Sequence, residues 1–487
     1  MNDSSKYDII TETTPSNAKH SLGLFIFRRD LRVVDNLGLH MCVRQCDKVM
    51  PIFIFTPEQV GSTNAYKSSN AVQFMIRSLQ DLNDQLKQSG GNGLHTFYGD
   101  NVRVLTHLIN FYNVTYIAFN ADYTPYAIER DKRIIELCAK LGISVEVSYD
   151  YYLQTPSAVL NGTNQVYQKF TPYYTQAIQH EVQEPMRKRS IQTYYFAKPS
   201  IKSTKYVISL EDALNRFTTL NPLILVEGGR KEGMKCLVRA LQTQLTYNKT
   251  HNMLDKRTTQ LSAYIKFGCV SIREVYKAFA HRFGKNCGLI RQLYWRDFYA
   301  NILRAYPQVY GSALKPSYNR IKWHHNSAFF ERWKEGTTGF PIVDAGMREL
   351  NATGYMHNRA RLIVATFLIK TLLIDWKKGE QYFAQKLTDY DPASNNGNWQ
   401  WCAGTGADSQ PYFRIFNPWE QAIHYDPDAT YIKQWVPELS TLNPKAIHTW
   451  YAYCKYPEYS KTEYPAPIVD YKEQKVKALL MYKSVFE

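Results

Sequence analysis

The sequence predicts a two-part fold: an N-terminal α/β domain built on a doubly wound parallel sheet, joined by a long connection to an all-α domain. Two observations carry this expectation. Between Leu22 and Tyr149, short β-rich runs alternate with longer amphipathic segments, as in a parallel sheet covered by helices on both faces. After Val226 the strand runs stop and apolar residues recur at helical spacing. The expected division is a disordered segment over residues 1–20, the α/β domain over 21–150, an inter-domain connection over 151–225 and the helical domain over 226–487.

Each element follows from its own pattern. Leu22–Phe27, Val49–Phe55, Leu94–Tyr98, Val114–Phe119 and Ile143–Ser148 are β-rich and apolar enough to be buried strands. Ser69–Lys87, Val102–Tyr112 and Tyr126–Leu141 carry apolar residues at helical spacing, with Gly90-Gly91 and Gly142 placed as stops. No GxGxxG follows the first strand, which weakens an ordinary dinucleotide-binding reading. The connection is rich in Tyr, Thr and Pro and holds the basic run Arg187-Lys-Arg189. Beyond it, helices are expected over Gly233–Tyr247, Gln260–Phe267, Ile272–Phe283, Gly288–Ala305, Phe340–Thr353, His357–Asp375 and Gly379–Leu387.

Composition narrows the function classes. With 44% hydrophobic and 21% charged residues, the chain has the balance of a folded globular protein. The most apolar stretch, Leu362–Ile374, is interrupted by Lys370 and falls short of the roughly 20 residues that span a bilayer. The polar N-terminus lacks the pattern of a secretory signal. None of the eight cysteines forms a CxxC pair, so no zinc site or disulfide framework is expected. These features together predict an intracellular protein, cytoplasmic or nuclear, with no bound metal. A net charge of +16 points to a polyanionic partner, most simply nucleic acid, although charge can also serve solubility.

The chemistry-bearing residues cluster late in the chain. All nine tryptophans follow residue 290; indoles serve packing first, but can also stack bases or carry electrons. Three runs stand out: Gly354-Tyr-Met-His-Asn-Arg-Ala-Arg361, Asp389-Tyr-Asp-Pro-Ala-Ser-Asn-Asn-Gly-Asn-Trp-Gln-Trp401 and Pro411-Tyr-Phe-Arg-Ile-Phe-Asn-Pro418. Asp389, Asp391, Asn395 and Asn396 could line a pocket for a ligand rich in hydroxyl, amide and phosphate groups. They could equally form a surface turn, since Asp, Asn and Gly favour turns for local reasons.

From Leu22 to about Leu439 the chain resembles the photolyase/cryptochrome family, and within it the class I cyclobutane pyrimidine dimer photolyases. The resemblance rests on those runs together with Phe27-Arg-Arg-Asp-Leu-Arg32, Asp35-Asn36, Thr258-Thr-Gln-Leu-Ser262, Trp295-Arg-Asp-Phe-Tyr299 and Gly339-Phe-Pro-Ile-Val-Asp-Ala-Gly-Met-Arg348. It implies an antenna-type α/β domain and a U-shaped FAD held in the helical domain. Thr258, Thr259, Gln260, Leu261 and Ser262 match the phosphate-binding segment, and Tyr247 lies near a matching upstream tyrosine, one residue out of register. Gln292, Arg296, Asn358, Arg361, Asp389, Asp391 and Asn395 match further flavin-contacting positions. Asn395 would face the flavin N5, where an amide supplies no proton and suits an anionic reduced flavin.

The resemblance also implies an electron-transfer chain of Trp399, Trp376 and Trp323, proximal to distal from the flavin. Trp295 and Trp401 match the apolar walls of a pocket for a flipped-out dimer, lined further by Gln292, Asn358 and Leu362, while Arg359 and Arg414 match the DNA face. The expected partner is UV-damaged duplex DNA, met by a monomer with no obligate protein partner. Gln292 departs from the usual glutamate, and Leu362 from the usual methionine. The (6-4) photolyases place histidines where Asn358 and Leu362 stand here, and an acid/base histidine has no substitute in Asn or Leu. Tyr126 and Ala127 replace an Asn-Glu pair of folate-binding members, so folate is disfavoured; a deazaflavin, a flavin or no antenna stays open. A cryptochrome-type receptor, a single-strand-specific DASH-like enzyme and a (6-4) photolyase are the competing readings.

Overall fold

The computed structural model describes residues 19–186, 206–459 and 461–486. The basic run at 187–189 and nearly all of the expected disordered segment lie outside these residues. β1 (His20–Phe27), α1 (Leu37–Gln45), β2 (Cys46–Phe55), α2 (Pro57–Val60), α3 (Ser69–Gln88), β3 (His95–Tyr98), α4 (Asn101–Tyr112), β4 (Tyr116–Asn120), α5 (Pro125–Leu141) and β5 (Ser144–Ser148) build the α/β domain. The sheet is five-stranded, order β3-β2-β1-β4-β5, and parallel throughout. The chain reverses its direction of winding between β1 and β4, the switch point where such sheets open a crevice.

Strand alternation sorts the core. Leu24, Ile26, Ile52 and Ile54 pack with Val104, Leu105, Leu108 and Ile134 from α4 and α5. Phe25, Phe27, Phe53 and Phe55 point to the other face, into a cluster that runs without interruption into Tyr264, Phe267, Val275 and Leu293 of the helical domain. One hydrophobic cluster therefore spans the two domains, while each keeps a further cluster of its own.

Helices interrupt the connection at α6 (Phe170–Ala177) and α7 (Leu210–Phe217). The helical domain runs α8 (Arg230–Thr243), α9 (Tyr247–Thr250), α10 (Ser262–Lys266), α11 (Ile272–Phe283), α12 (Gly288–Ala305), α13 (Ser327–Glu335), α14 (Pro341–Thr353), α15 (Asn358–Lys370), α16 (Trp376–Lys386) and α17 (Pro392–Ala403). It ends with α18 (Pro418–Tyr425), α19 (Thr430–Trp435), α20 (Pro444–His448), α21 (Trp450–Tyr453) and α22 (Tyr471–Lys483). Three expectations shift. The helix expected over 233–247 ends at Thr243, and Tyr247 opens a separate turn, α9. The helix expected over 260–267 begins only at Ser262, because Gln260 is left-handed at φ 56°. The helix expected over 357–375 stops at Lys370, and left-handed Leu373 then reverses the chain.

A buried ion network pins the domains. Arg273 on α11 donates from Nε to Asp35 (3.0 Å) and from Nη2 to Asp150 (2.6 Å). Asp150 also pairs with Arg32, and the Ser271 hydroxyl donates to Asp35. Such a network, with every charge partnered, fixes orientation more than it adds net stability. No helix among the described residues is long and apolar enough to cross a membrane, and all eight cysteines are free thiols.

Candidate functional site

α17 is the spine of the site. Its Asn-rich sequence favours turns, yet it is helical: Asp391 caps it by accepting from Ser394 N, Pro392 takes the first turn and Gly404 closes it in left-handed geometry. Close packing holds it between α12 and α16. A Cβ on Gly397 would stand 2.1 Å from the Tyr299 ring of α12, and one on Gly379 of α16 would stand 2.2 Å from the Trp399 indole. Neither glycine can carry a side chain while these rings stay in place.

Acids and bases gather around its N-terminus. Arg361 on α15 forms an ion pair with Asp389 (2.9 Å), and the Arg361 guanidinium lies over the Tyr355 ring. The Tyr355 hydroxyl is 3.5 Å from Thr258 Oγ1, so the expected phosphate segment and the 354–361 run meet. Asp391 pairs with Arg29 from the α/β domain (3.0 Å), which also pairs with Asp122 (3.1 Å). Asp391 is held below the usual carboxylate range: burial opposes this, but the Arg29 and Arg296 charges and the Ser394 hydrogen bonds outweigh it. Asn395 donates from Nδ2 to the Glu380 carbonyl (3.0 Å) and carboxyl (3.3 Å).

The 258–262 segment is shaped by Gln260. Its left-handed backbone is sparsely populated for a non-glycine residue. Its Oε1 accepts from Arg239 Nη2 (2.8 Å), and Leu261 N donates to Thr259 Oγ1 (3.3 Å). Ser262 and Asn358 are solvent-exposed. Tyr247 stacks on His251, ring centroids 5.0 Å apart.

On α12, Gln292, Trp295 and Arg296 fall at i, i+3 and i+4 and share a helix face. Gln292 is exposed and Trp295 half-buried. Arg296 turns toward the connection, donating to the Tyr151 carbonyl (2.6 Å) over the Tyr152 ring. Trp401 and Leu362 are half-buried and Arg414 is exposed. Arg359 is braced: Nη2 donates to Asn252 Oδ1 (2.8 Å) and the guanidinium lies 4.3 Å over Tyr425. Trp399 and Trp376 are buried and Trp323 half-buried. Among the described residues no ring contact joins two of these three. Trp399 instead touches Trp333 (6.3 Å) and Phe383 (4.9 Å), and Trp323 touches Tyr482 (6.1 Å).

Sequence reasoning missed Arg29 and Glu380, and Phe170, whose ring stacks on Trp295. Only Arg29 left a signal, inside the Phe27–Arg32 run.

The donor set fits FAD. Arg296 Nη2 is buried with no hydrogen-bond partner; a buried polar atom left so costs about 1–3 kcal/mol, which a ligand dense in oxygen and nitrogen relieves. Arg361, Arg29, Asp389, Asp391 and Asn395 converge at the N-terminus of α17, a mixed set of donors and acceptors that suits a ligand carrying both phosphates and a polar ring edge.

Comparison with known proteins agrees. The sequence model described as FAD binding domain of DNA photolyase matches residues 289–484, and that described as DNA photolyase matches residues 24–189. A curated relative from Buchnera aphidicola, named deoxyribodipyrimidine photo-lyase, is 34% identical over 482 residues, covering 95% of this chain and 98% of its own. An archaeal photolyase from Sulfolobus tokodaii, solved with two FAD molecules, superposes with TM-score 0.84 at 40% identity, over 95% of this chain and 100% of its own. A bacterial class III photolyase from Agrobacterium tumefaciens gives TM-score 0.87 at 30% identity, over 97% and 99%. Since its α/β half and its flavin-binding half are each matched, and near-full-length relatives exceed 30% identity, the chain belongs to the DNA photolyase family.

Proposed function

We propose that the chain is a light-driven DNA repair enzyme that splits cyclobutane pyrimidine dimers. The observation that carries this reading is the convergence at the N-terminus of α17 of Arg361–Asp389, Arg29–Asp391 and Asn395–Glu380, on the helix that also carries Trp399 and Trp401. FAD bound there would supply the one-electron chemistry, driven by blue or near-ultraviolet light, that opens the cyclobutane ring with no net redox change.

The chain's own residues do the rest. Thr258, Thr259, Gln260, Leu261 and Ser262 would bind the pyrophosphate, with Tyr247 beside them. Arg296, Asn358, Arg361, Asp389, Asp391 and Asn395 would orient the ring system. Trp399, Trp376 and Trp323 provide three indoles for moving an oxidising equivalent from the buried site outward.

Trp295 and Trp401 would wall the pocket for a swung-out dimer and exclude water, with Leu362 as further apolar lining and Gln292 and Asn358 offering amides to the pyrimidine carbonyls. A dimer is already poorly stacked, so extruding it costs less than the few kcal/mol an intact base requires. Arg359, preset by Asn252 and Tyr425, and exposed Arg414 would neutralise phosphates, so binding falls with salt.

The test is irradiation of FAD-loaded, reduced protein with duplex DNA carrying one cyclobutane dimer, read as recovery of thymine absorbance. Parallel single-stranded and (6-4) substrates divide the alternatives. Recovery on duplex dimers supports the reading, and recovery confined to single strands makes the enzyme DASH-like. Recovery only on (6-4) lesions reassigns the substrate. With no recovery on any lesion, a receptor role stands.

A further inference from the structure

The loop that follows α17 reaches across to the connection between the domains. Past Gly404 it stays fastened to the last turn of its own helix. Thr405 N and Gly406 N donate to the Gln400 carbonyl (3.0 and 3.3 Å), and Gln410 N donates to the Trp401 carbonyl (3.3 Å). Lys315 Nζ holds the same loop by donating to Ser409 Oγ (2.8 Å) and to the Gly404 carbonyl (3.3 Å). Between these anchors Asp408 is left-handed, at φ 48°, a conformation aspartate enters more readily than most residues. Asp408 N donates to the Gln168 carbonyl (2.8 Å), and its Oδ1 accepts from Phe170 N (3.2 Å). The first N–H groups of a helix have no partner within it. Lys169, at the cap of α6, brings no side-chain acceptor, so α6 is capped by a carboxylate 238 residues further along the chain. A negative charge is also the favourable one at that end of a helix.

We propose that Asp408 is a positioning residue for the lesion pocket: by capping α6 it fixes the Phe170 ring against Trp295, so that the loop anchored on Trp401 also sets the other indole. The inference rests on the reading that Trp295 and Trp401 wall the pocket for a swung-out dimer.

A binding pocket works only while its walls are held within about 0.5 Å of the productive geometry. Trp295 is half-buried, and three rings surround its indole: Phe298 edge-on (5.6 Å), Tyr299 at a tilt (5.5 Å) and Phe170 lying flat (3.7 Å). Phe298 and Tyr299 belong to α12, the helix of Trp295 itself. Phe170 alone of the three comes from another element and can shift relative to the indole. It opens α6, which is eight residues long, too short to hold its first turn without tertiary support. Removing the Asp408 carboxyl leaves the Phe170 N–H without its acceptor and lets that turn fray. Asp408 bonds neither Arg359 nor Arg414 among the described residues, so the phosphate-facing cations stay as they are.

The experiment measures, on the FAD-loaded full chain by fluorescence anisotropy, the Kd for duplex DNA carrying one cyclobutane dimer and for the same duplex undamaged. Asp408→Gly keeps the left-handed backbone and removes the acceptor, whereas Asp408→Asn loses the same charge but keeps an acceptor. Asp408→Gly is expected to raise the dimer Kd by about 2- to 10-fold over Asp408→Asn, the worth of one hydrogen bond. FAD content and the undamaged-duplex Kd should be equal in the two. In a Phe170→Ala background Asp408→Gly should add nothing, since both act on one contact. Equal dimer Kd in the Gly and Asn variants overturns the inference and leaves the pocket reading in place. Fully additive losses in the double variant also overturn it, because the loop then acts without Phe170. If Asp408→Gly does not fold, hydrogen exchange of the wild type decides: a protected Phe170 amide supports the cap, and one that exchanges freely overturns it. A wild-type chain that binds damaged and undamaged duplex alike overturns both the pocket reading and the part of Asp408 in it.

Discussion

Phe170 lies flat on Trp295, ring centroids 3.7 Å apart and planes 5° from parallel. Trp295 also meets Phe298 edge-on and Tyr299 at a tilt. One face of the indole is therefore covered, and its orientation is set by the connection between the domains. If Trp295 walls the dimer pocket, loosening this stack weakens DNA binding without touching the flavin. Aromatic pairs are worth about 0.5–1.5 kcal/mol beyond burial, so Phe170→Ala is expected to raise the Kd for dimer-containing duplex by about 2- to 10-fold. Fluorescence anisotropy checks this against FAD content, which should not change. Unaltered affinity would mean that Trp295 does not meet the lesion.

Two buried indoles, Trp376 and Trp333, compete as the step beyond Trp399. Trp399 touches Trp333 ring to ring, whereas Trp376 begins α16 without a ring contact to it. Trp333 is fully buried and spends its indole N–H on the Val364 carbonyl (3.0 Å), the mark of a packing residue. Trp376→Phe is therefore expected to slow light-driven reduction of oxidised bound FAD by about tenfold or more. Repair by chemically reduced protein should be spared, and Trp333→Phe should leave photoreduction nearly unchanged. Absorbance under steady illumination reads both variants, and the reverse pattern would move the route to Trp333.

Much of this architecture was legible because buried parallel strands need continuous apolar runs, and Phe25, Phe27, Phe53 and Phe55 supply them on one face of the sheet. α1 was not legible. It is nine residues long and buries only Gly38, Leu39 and Cys42, too few for a helical period to emerge. α17 was obscured by turn-forming Asn395, Asn396, Gly397 and Asn398, a preference overridden by its Asp391 cap and by packing against α12 and α16. At the site, residues within one run could be read together, as with Asp389, Asp391 and Asn395. Glu380 and Phe170 could not, since each matters only through a contact made by folding distant segments together.

The inter-domain ion network makes a stability prediction. Arg273 serves both Asp35 and Asp150 with a fork that a single ammonium cannot reproduce. Removing it leaves Asp35 with only the Ser271 hydroxyl and backbone partners in a buried setting. Breaking one partner of such a network costs about 3–5 kcal/mol. Arg273→Met is expected to lose that much in urea unfolding, and Arg273→Lys to recover part of it. A loss within experimental scatter would show that the network is solvated in solution.

Glu349 on α14 offers a pH test independent of any ligand. Its Oε2 accepts from the Tyr431 hydroxyl (2.6 Å), with His357 N at 3.4 Å. Burial raises its carboxyl to about 7, only partly offset by these hydrogen bonds, against about 4.3 in an unfolded chain. Between those values the folded state binds more protons than the unfolded one, so this group's contribution falls as pH rises through the window and is constant above it. Glu349→Gln keeps an acceptor for Tyr431 and cannot ionise. Its stability relative to wild type should therefore improve by on the order of 2 kcal/mol between about pH 5 and about pH 8. Urea midpoints of both proteins at each pH measure the change. A difference independent of pH would mean that Glu349 ionises in the fold as readily as it does in water.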